Sequence, residues 1–283
     1  VNPNNMPVSD EVLNVVTLTD GSLNGSPIAV HDTGMPNWGG WHNTPPNYCI
    51  AHPDVQREIE REIDVLVAQG VAHPSFKGVC FHLTRHCLLW WGDLESGYND
   101  CAVEAFAQET GMKMPQFEGR LRARDRAAWL KANCRDRWVQ WRCDVVTKFY
   151  ARIAERLRRA RPDLRLMLNS FVPPDGLHPD FTKPGFLHQA NRECGLDGPA
   201  LTWAIPGLIL CQSVESADYR LLGPWYYLKP EFRAHRKVMD SLEGYYDLLK
   251  GAEFPWVNIH DRYWECPIGR ESKGEDSLSC AWL

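Results

Sequence analysis

A chain of 283 residues, 44% hydrophobic and 24% charged, has the composition of an ordinary globular protein and length enough to bury a substantial core. A net charge of −5 gives no footing for a nucleic-acid partner, and no uncharged apolar run has the length of a membrane span. No basic-then-apolar leader opens the chain, and the start at Val1 is compatible with a removed signal or an upstream domain.

The predicted elements alternate. A short apolar run over 26–30 reads as a strand ending in His31 and Asp32, followed by a loop rich in Gly, Pro, Asn and Trp that carries Trp38 and Trp41. From about residue 53, Val55, Ile59, Ile63, Leu66 and Val67 recur at helical spacing, with Asp54 and Glu58 placing negative charge at the helix start. Residues 76–84 read as a buried strand that runs into Arg85 and His86. A long loop with Trp90 and Trp91 leads to a short helix over 100–110, stopped by Gly111. The spacing of Trp138, Trp141, Val145, Phe149, Ile153 and Leu157 predicts one long helix over 125–161, with arginines opposite the apolar stripe and Pro162 ending it.

A strand over 164–170 then carries Asn169 near its end, and a helix is expected around 186–194. The next strand, 206–215, ends in Gln212 and Glu215, and a helix is expected over 230–249. The last run, Phe254-Pro-Trp-Val-Asn-Ile-His-Asp-Arg-Tyr-Trp-Glu, stops abruptly in His260, Asp261, Arg262 and Glu265. Five strand signals separated by helices predict an α/β fold with a parallel sheet, and the long loops after the strands favour a (β/α)8 TIM-type barrel. The expected domain is single, spanning 1–283, and incomplete at one or both ends. A doubly wound sheet is the alternative, but it normally announces itself with a Gly-rich phosphate turn that this chain lacks.

Ten cysteines are scattered without a Cys-x-x-Cys pair, and Cys80, Cys143 and Cys211 fall inside apolar patterns, so mostly free thiols are expected. Free thiols point to the cytoplasm, whereas a glycan substrate points to a secreted or periplasmic site. The compartment therefore stays open. Twelve tryptophans, many beside Gly, Asn, Asp or His, offer flat indole faces on which sugar rings can stack.

Three stretches carry a resemblance: Ala51-His-Pro-Asp-Val-Gln-Arg-Glu-Ile-Glu, Pro74-Ser-Phe-Lys-Gly-Val, and Gly97-Tyr-Asn-Asp-Cys-Ala-Val-Glu-Ala-Phe-Ala-Gln-Glu-Thr-Gly. With the run from Trp138 to Leu166 they resemble barrel-fold glycoside hydrolases labelled family-10-like or β-galactosidase-like, over roughly residues 50–170. The resemblance implies a barrel and a glycosidase activity. Many such enzymes carry a catalytic acid at the end of the fourth strand, where this chain reads His82-Leu-Thr-Arg-His.

Glycoside hydrolysis needs two carboxyl groups, one protonated and one ionised, on either side of the scissile bond. The expected catalytic residues are Glu215 and Asp261, on consecutive strand ends, with Glu265 able to replace either. The competing roles are a helix N-cap or an ion pair with Arg220 for Glu215, and an ion pair with Arg262 or Arg85 for Asp261. His31, Asp32, Trp38, Arg85, His86, Trp90, Asn169, Gln212, His260 and Arg262 are expected to line the substrate, a carbohydrate. No cofactor, metal, nucleic acid or membrane is expected, and oligomeric state is not legible. Two other readings stand beside this one. A barrel that lacks a working acid pair would bind carbohydrate without cleaving it. His82 and His86 have the spacing of a helical zinc pair, but they sit where a strand runs into a loop, and no Glu follows His82.

Overall fold

The computed structural model describes residues 27–34, 47–83, 90–119, 121–171, 185–214, 256–259 and 280–282. They fall into two compact units that interleave along the chain, one drawn from Val1–Phe76, Leu83–Pro162 and Arg192–Leu196, the other from Lys77–His82, Asp163–Asn191 and Asp197–Leu283.

The first unit is helical. Helix α1, Pro53–Gly70, starts with Pro in its first turn, where no backbone donor is lost, and its N-cap His52 accepts the Asp54 N–H through Nδ1 at 3.2 Å. Val55, Ile59, Ile63 and Val67 are buried at four-residue intervals, as predicted. Helix α2, Asp100–Thr110, ends at Gly111 in the left-handed region (φ 66°), the C-terminal signal expected of that glycine. The helix predicted over 125–161 is instead two, α3 (Arg122–Asn133) and α4 (Arg135–Ala160). Cys134 leaves the helical region (φ −152°, ψ 33°), and the Asn133 side chain donates back to the Trp129 carbonyl at 2.8 Å. Such a side-chain bond competes with continuation of the helical ladder.

Helix α4 packs against α1, α2 and α3. Its stripe of Trp138, Trp141, Val145, Phe149, Ile153 and Leu157 is buried throughout, each residue contributing about 1.5–3 kcal/mol relative to an exposed position. The arginines on its far side do more than meet solvent. Arg152 Nε lies 2.9 Å from Glu60, and Arg156 reaches Glu60 at 2.6 Å and Asp64 at 2.8 Å, tying α4 to α1.

The predicted first strand is not part of the sheet. Ile28 and Val30 are fully buried, but the segment makes only isolated antiparallel bridges, Ile28 with Tyr48 and His31 with Ser96. A run this short, entered at Pro27 and left at a turn, finds its backbone partners in neighbouring loops rather than in a ladder.

The second unit holds a five-stranded sheet in the order β1 (Gly78–Leu83), β2 (Arg165–Phe171), β3 (Ile209–Val214), β4 (Trp256–Ile259), β5 (Cys280–Trp282). Pairs β2–β3 and β3–β4 are parallel, and β5 runs antiparallel to β4. The fold is therefore mixed α/β with a small three-strand parallel sheet, and strand order follows chain order. Leu164, Leu166 and Leu168 alternate with the more open Arg165 and Met167, the period of a strand with one face against the core. Gly78 permits the close approach of β1 to β2, because a Cβ there would sit 1.9 Å from the Arg165 carbonyl oxygen.

Helix α5, Phe186–Glu193, lies where one was predicted. Helix α6, Gly198–Ala204, was not predicted. It is capped by Asp197, whose Oδ1 accepts the Ala200 N–H at 3.2 Å, and has Pro199 in its first turn.

Candidate functional site

Two polar features follow from this fold, one in each unit. In the sheet unit, polar residues collect at the carboxyl ends of the parallel strands. Asn169 and Ser170 precede Phe171, the last residue of β2, with Asn169 4% exposed, and the register places Ser170 beside Gln212 and Ser213 beside Asn258. The last paired residues of β3 and β4 are Val214 and Ile259. In the sequence, Glu215 comes next after the first and His260 and Asp261 after the second. Parallel sheets hold their ligands at this carboxyl edge.

In the helical unit, a charged cluster forms around the turn at 31–34. The Asp32 N–H donates to the Glu95 carbonyl at 2.7 Å, and the Gly97 and Tyr98 N–H groups donate to the Val30 carbonyl at 3.0 Å each, so backbone bonds join this turn to the loop before α2. Asp32 uses both carboxylate oxygens. Oδ2 takes the Lys131 ammonium of α3 at 2.7 Å, and Oδ1 lies 2.8 Å from His31 Nδ1. The Thr33 N–H donates to the same nitrogen at 3.3 Å, so the ring tautomer selects between the backbone donor and the Asp32 carboxylate. Lys131 also stands 3.8 Å from Glu95 and 5.8 Å from the centre of the Tyr98 ring. The Tyr98 hydroxyl donates to the Leu94 carbonyl at 2.6 Å, and burial raises its pKa far above the ordinary tyrosine value. Glu95 is the most open carboxylate here, 46% exposed against 26% for Asp32. The cluster can hydrogen-bond a polar ligand through Glu95 and His31, while Asp32 is occupied in orienting its neighbours.

Beneath the cluster lies Arg142, completely buried on α4. Its guanidinium stacks over Trp91 at 4.9 Å and Trp138 at 5.9 Å. One amino group donates to the Leu94 carbonyl at 3.3 Å and another to the Asp93 carbonyl, so the arginine grips the loop that carries Glu95. Trp91 returns an indole hydrogen bond to the Arg142 carbonyl at 3.1 Å. Two glycines with positive φ, Gly97 and Gly195, leave space for this indole; a Cβ on either would come within 2.5 Å of it.

No protein-family model matches the chain, and no curated protein does. The residues present carry the functional argument alone.

Of the residues expected to line a substrate, His31 and Asp32 come together in the cluster, although on a turn rather than at a strand end. Trp90 is 2% exposed, so packing occupies its ring and no face is open for a sugar. Asn169 and the backbone of Gln212 lie on β2 and β3 as expected. Trp38, Arg85, His86, Glu215, His260, Asp261, Arg262 and Glu265 lie outside the described residues, as does the helix predicted over 230–249. Cys49, Cys80, Cys101, Cys134, Cys143 and Cys194 are free thiols. Among the described residues no helix is long and apolar enough to cross a membrane.

Sequence reasoning missed Lys131, Arg142 and Trp203. Lys131 meets Asp32 across 99 positions, and a lysine on an amphipathic helix carries no local mark of such a partner. Arg142 sits among the arginines assigned to an exposed face, although Trp138 and Trp141 flank it on the buried stripe. Trp203 is 89% exposed on α6, an open indole that belonged to no loop pair.

Proposed function

We propose that the protein is a glycoside hydrolase acting on an oligo- or polysaccharide, built on a (β/α)8-type barrel, with Glu215 and Asp261 as its two carboxyl groups. The reading is carried by the parallel pairing of β3 with β4 up to their last residues, Val214 and Ile259, one position before Glu215 and two before Asp261. Adjacent strands lie about 4.8 Å apart. The reading requires the two carboxyl groups to come within the range of about 5–9.5 Å that retaining and inverting glycosidases use.

The neighbouring polar residues Asn169, Ser170, Gln212 and Ser213 fit a site that hydrogen-bonds sugar hydroxyls, and the exposed Trp203 offers an aromatic face in the same unit. Strand order that follows chain order supports a barrel over a doubly wound sheet, in which the order reverses at a switch point. On this reading the antiparallel β5 beside β4 is an addition to the repeat.

The test is hydrolysis of a panel of aryl glycosides and soluble polysaccharides by the wild type, E215Q and D261N. Loss of at least about a thousandfold (about 4 kcal/mol of barrier) in either variant, with binding kept, is expected. Binding without turnover in the wild type would replace the enzyme by a carbohydrate-binding barrel, and full activity in both variants would remove the assigned pair.

A further inference from the structure

Helix α6 holds a large apolar ring out in solvent. Trp203 is 89% exposed, while Leu201 and Thr202 beside it are buried. The mount is firm. Asp197 caps the start of the helix, and the Thr202 hydroxyl donates to the Gly198 carbonyl at 3.1 Å. Ile205 and Leu208, directly after the helix, are buried and anchor its end.

The chain path fixes where this ring stands. The Ile205 N–H donates to the Leu201 carbonyl at 2.9 Å and the Leu208 N–H to the Ile205 carbonyl at 3.1 Å, so a tight turn leads from α6 into β3 at Ile209. Trp203, in the last turn of α6, therefore belongs to the amino end of β3. Glu215 follows the opposite end in the sequence. The six residues of β3 span about 20 Å at about 3.3 Å each.

The surroundings select what the ring can hold. No residue from Gly198 to Leu208 is charged, so this stretch has no partner for a carboxylate or sulfate group. Among the described residues Trp203 is also the only large apolar side chain of the sheet unit that is exposed. A tryptophan buries about 150–250 Å², well below the roughly 800 Å² per partner of a stable protein interface. A pyranose needs less. Its apolar C–H face covers one indole, and its hydroxyl groups stay in water.

We propose that Trp203 is a stacking platform for a neutral polysaccharide, a binding site at the amino end of the sheet and apart from the carboxyl edge. The choice of a sugar rests on the glycoside hydrolase reading. A polymer held at both ends of β3 gains affinity from the second attachment, because the first raises its local concentration. A single sugar unit at the carboxyl edge gains nothing from Trp203.

The experiment is native affinity electrophoresis of the full chain through gels carrying glucomannan, hydroxyethyl cellulose or the anionic polygalacturonate, beside hydrolysis of the same polymers. The wild type should be retarded by a neutral polymer, and W203A should bind it at least about tenfold more weakly (about 1.4 kcal/mol). W203F, which keeps a smaller ring, should fall between them. The urea midpoint of W203A should match the wild type, since the ring is open in the folded protein. Equal retardation of W203A and wild type, with the neutral polymer hydrolysed, would sink the platform and leave the enzyme. Retardation by polygalacturonate alone, or a wild-type dimer that W203A dissolves, would also overturn it, the second by giving the indole to another copy of the chain. Neither retardation nor hydrolysis with any polymer would remove the platform and the glycosidase reading together. Retardation that depends on Trp203 without hydrolysis would uphold the platform and remove only the enzyme.

Discussion

In the helical unit the polar groups that matter are held by side chains reaching across long separations, as Lys131 reaches Asp32 and Arg142 reaches the carbonyls of Asp93 and Leu94. In the sheet unit the polar edge is arranged by backbone register, with Ser170 beside Gln212 and Ser213 beside Asn258. The difference teaches where each unit is vulnerable. Register is shared by every residue of a strand and survives the loss of any one polar side chain. A cluster held by individual contacts fails when one support is removed.

The sharpest way to break the helical side is Trp138→Ala. Trp138 is fully buried, stacks on Trp141 at 5.1 Å and on Tyr98 at 5.7 Å, and meets Phe106 edge-on at 5.1 Å. Removing the indole should cost about 3–5 kcal/mol in urea denaturation, since a cavity among rigid rings closes poorly. A loss under about 1 kcal/mol would mean that the aromatic cluster is not the core of this unit.

A smaller effect is expected at Asp100, which meets Arg122 at 3.1 Å and also pairs with Arg126. Burial pushes its carboxyl up, but the two guanidinium groups outweigh that and hold its pKa below the ordinary value. A depressed carboxylate contributes stability that is complete above its unfolded pKa of about 3.9 and is lost as pH falls through the lower folded value. Asp100→Asn should lower stability by about 2 kcal/mol at pH 7. It should also flatten the acid limb of a stability profile measured from pH 6 to pH 2. An unchanged acid limb would show that the arginines do not act through Asp100.

The least costly change lies on the outer face, at Glu60. It pairs with Arg152 and Arg156, which are 47% and 38% exposed while the carboxylate is 13% exposed, so solvent screens the attraction from the arginine side. Glu60→Gln should cost no more than about 1 kcal/mol, and the difference should shrink between low and high salt. A cost that salt does not reduce would class this network with the buried supports.

Legibility followed the same division. Helix α1 could be read from the sequence because Val55, Ile59, Ile63 and Val67 carry its period and Pro53 its start. Gly111 marked the end of α2 because the left-handed conformation there suits glycine. The break at Cys134 was not legible, since the apolar stripe of α4 continues the pattern of α3 and masks one residue that leaves the helical region. His31 and Asp32 were recognised as polar residues at the end of an apolar run, but the run was assigned to the sheet. Periodicity cannot tell a ladder from the isolated bridges that Ile28 and His31 make. Trp90 is buried and Trp203, which no sequence signal singled out, is open, because composition reports how many indoles there are and not which side of a chain they take.

By itself, the sequence determined the alternation of helices and strands, the apolar stripe of α4, and the gathering of polar residues where strands end. These depend on periods of side-chain polarity that are written locally. Only the tertiary structure decided that Lys131 neutralises Asp32 and that the buried Arg142 guanidinium lies over Trp91. Each of those pairings joins residues far apart in the chain, and their energies come from burial and proximity that exist only after the chain has folded.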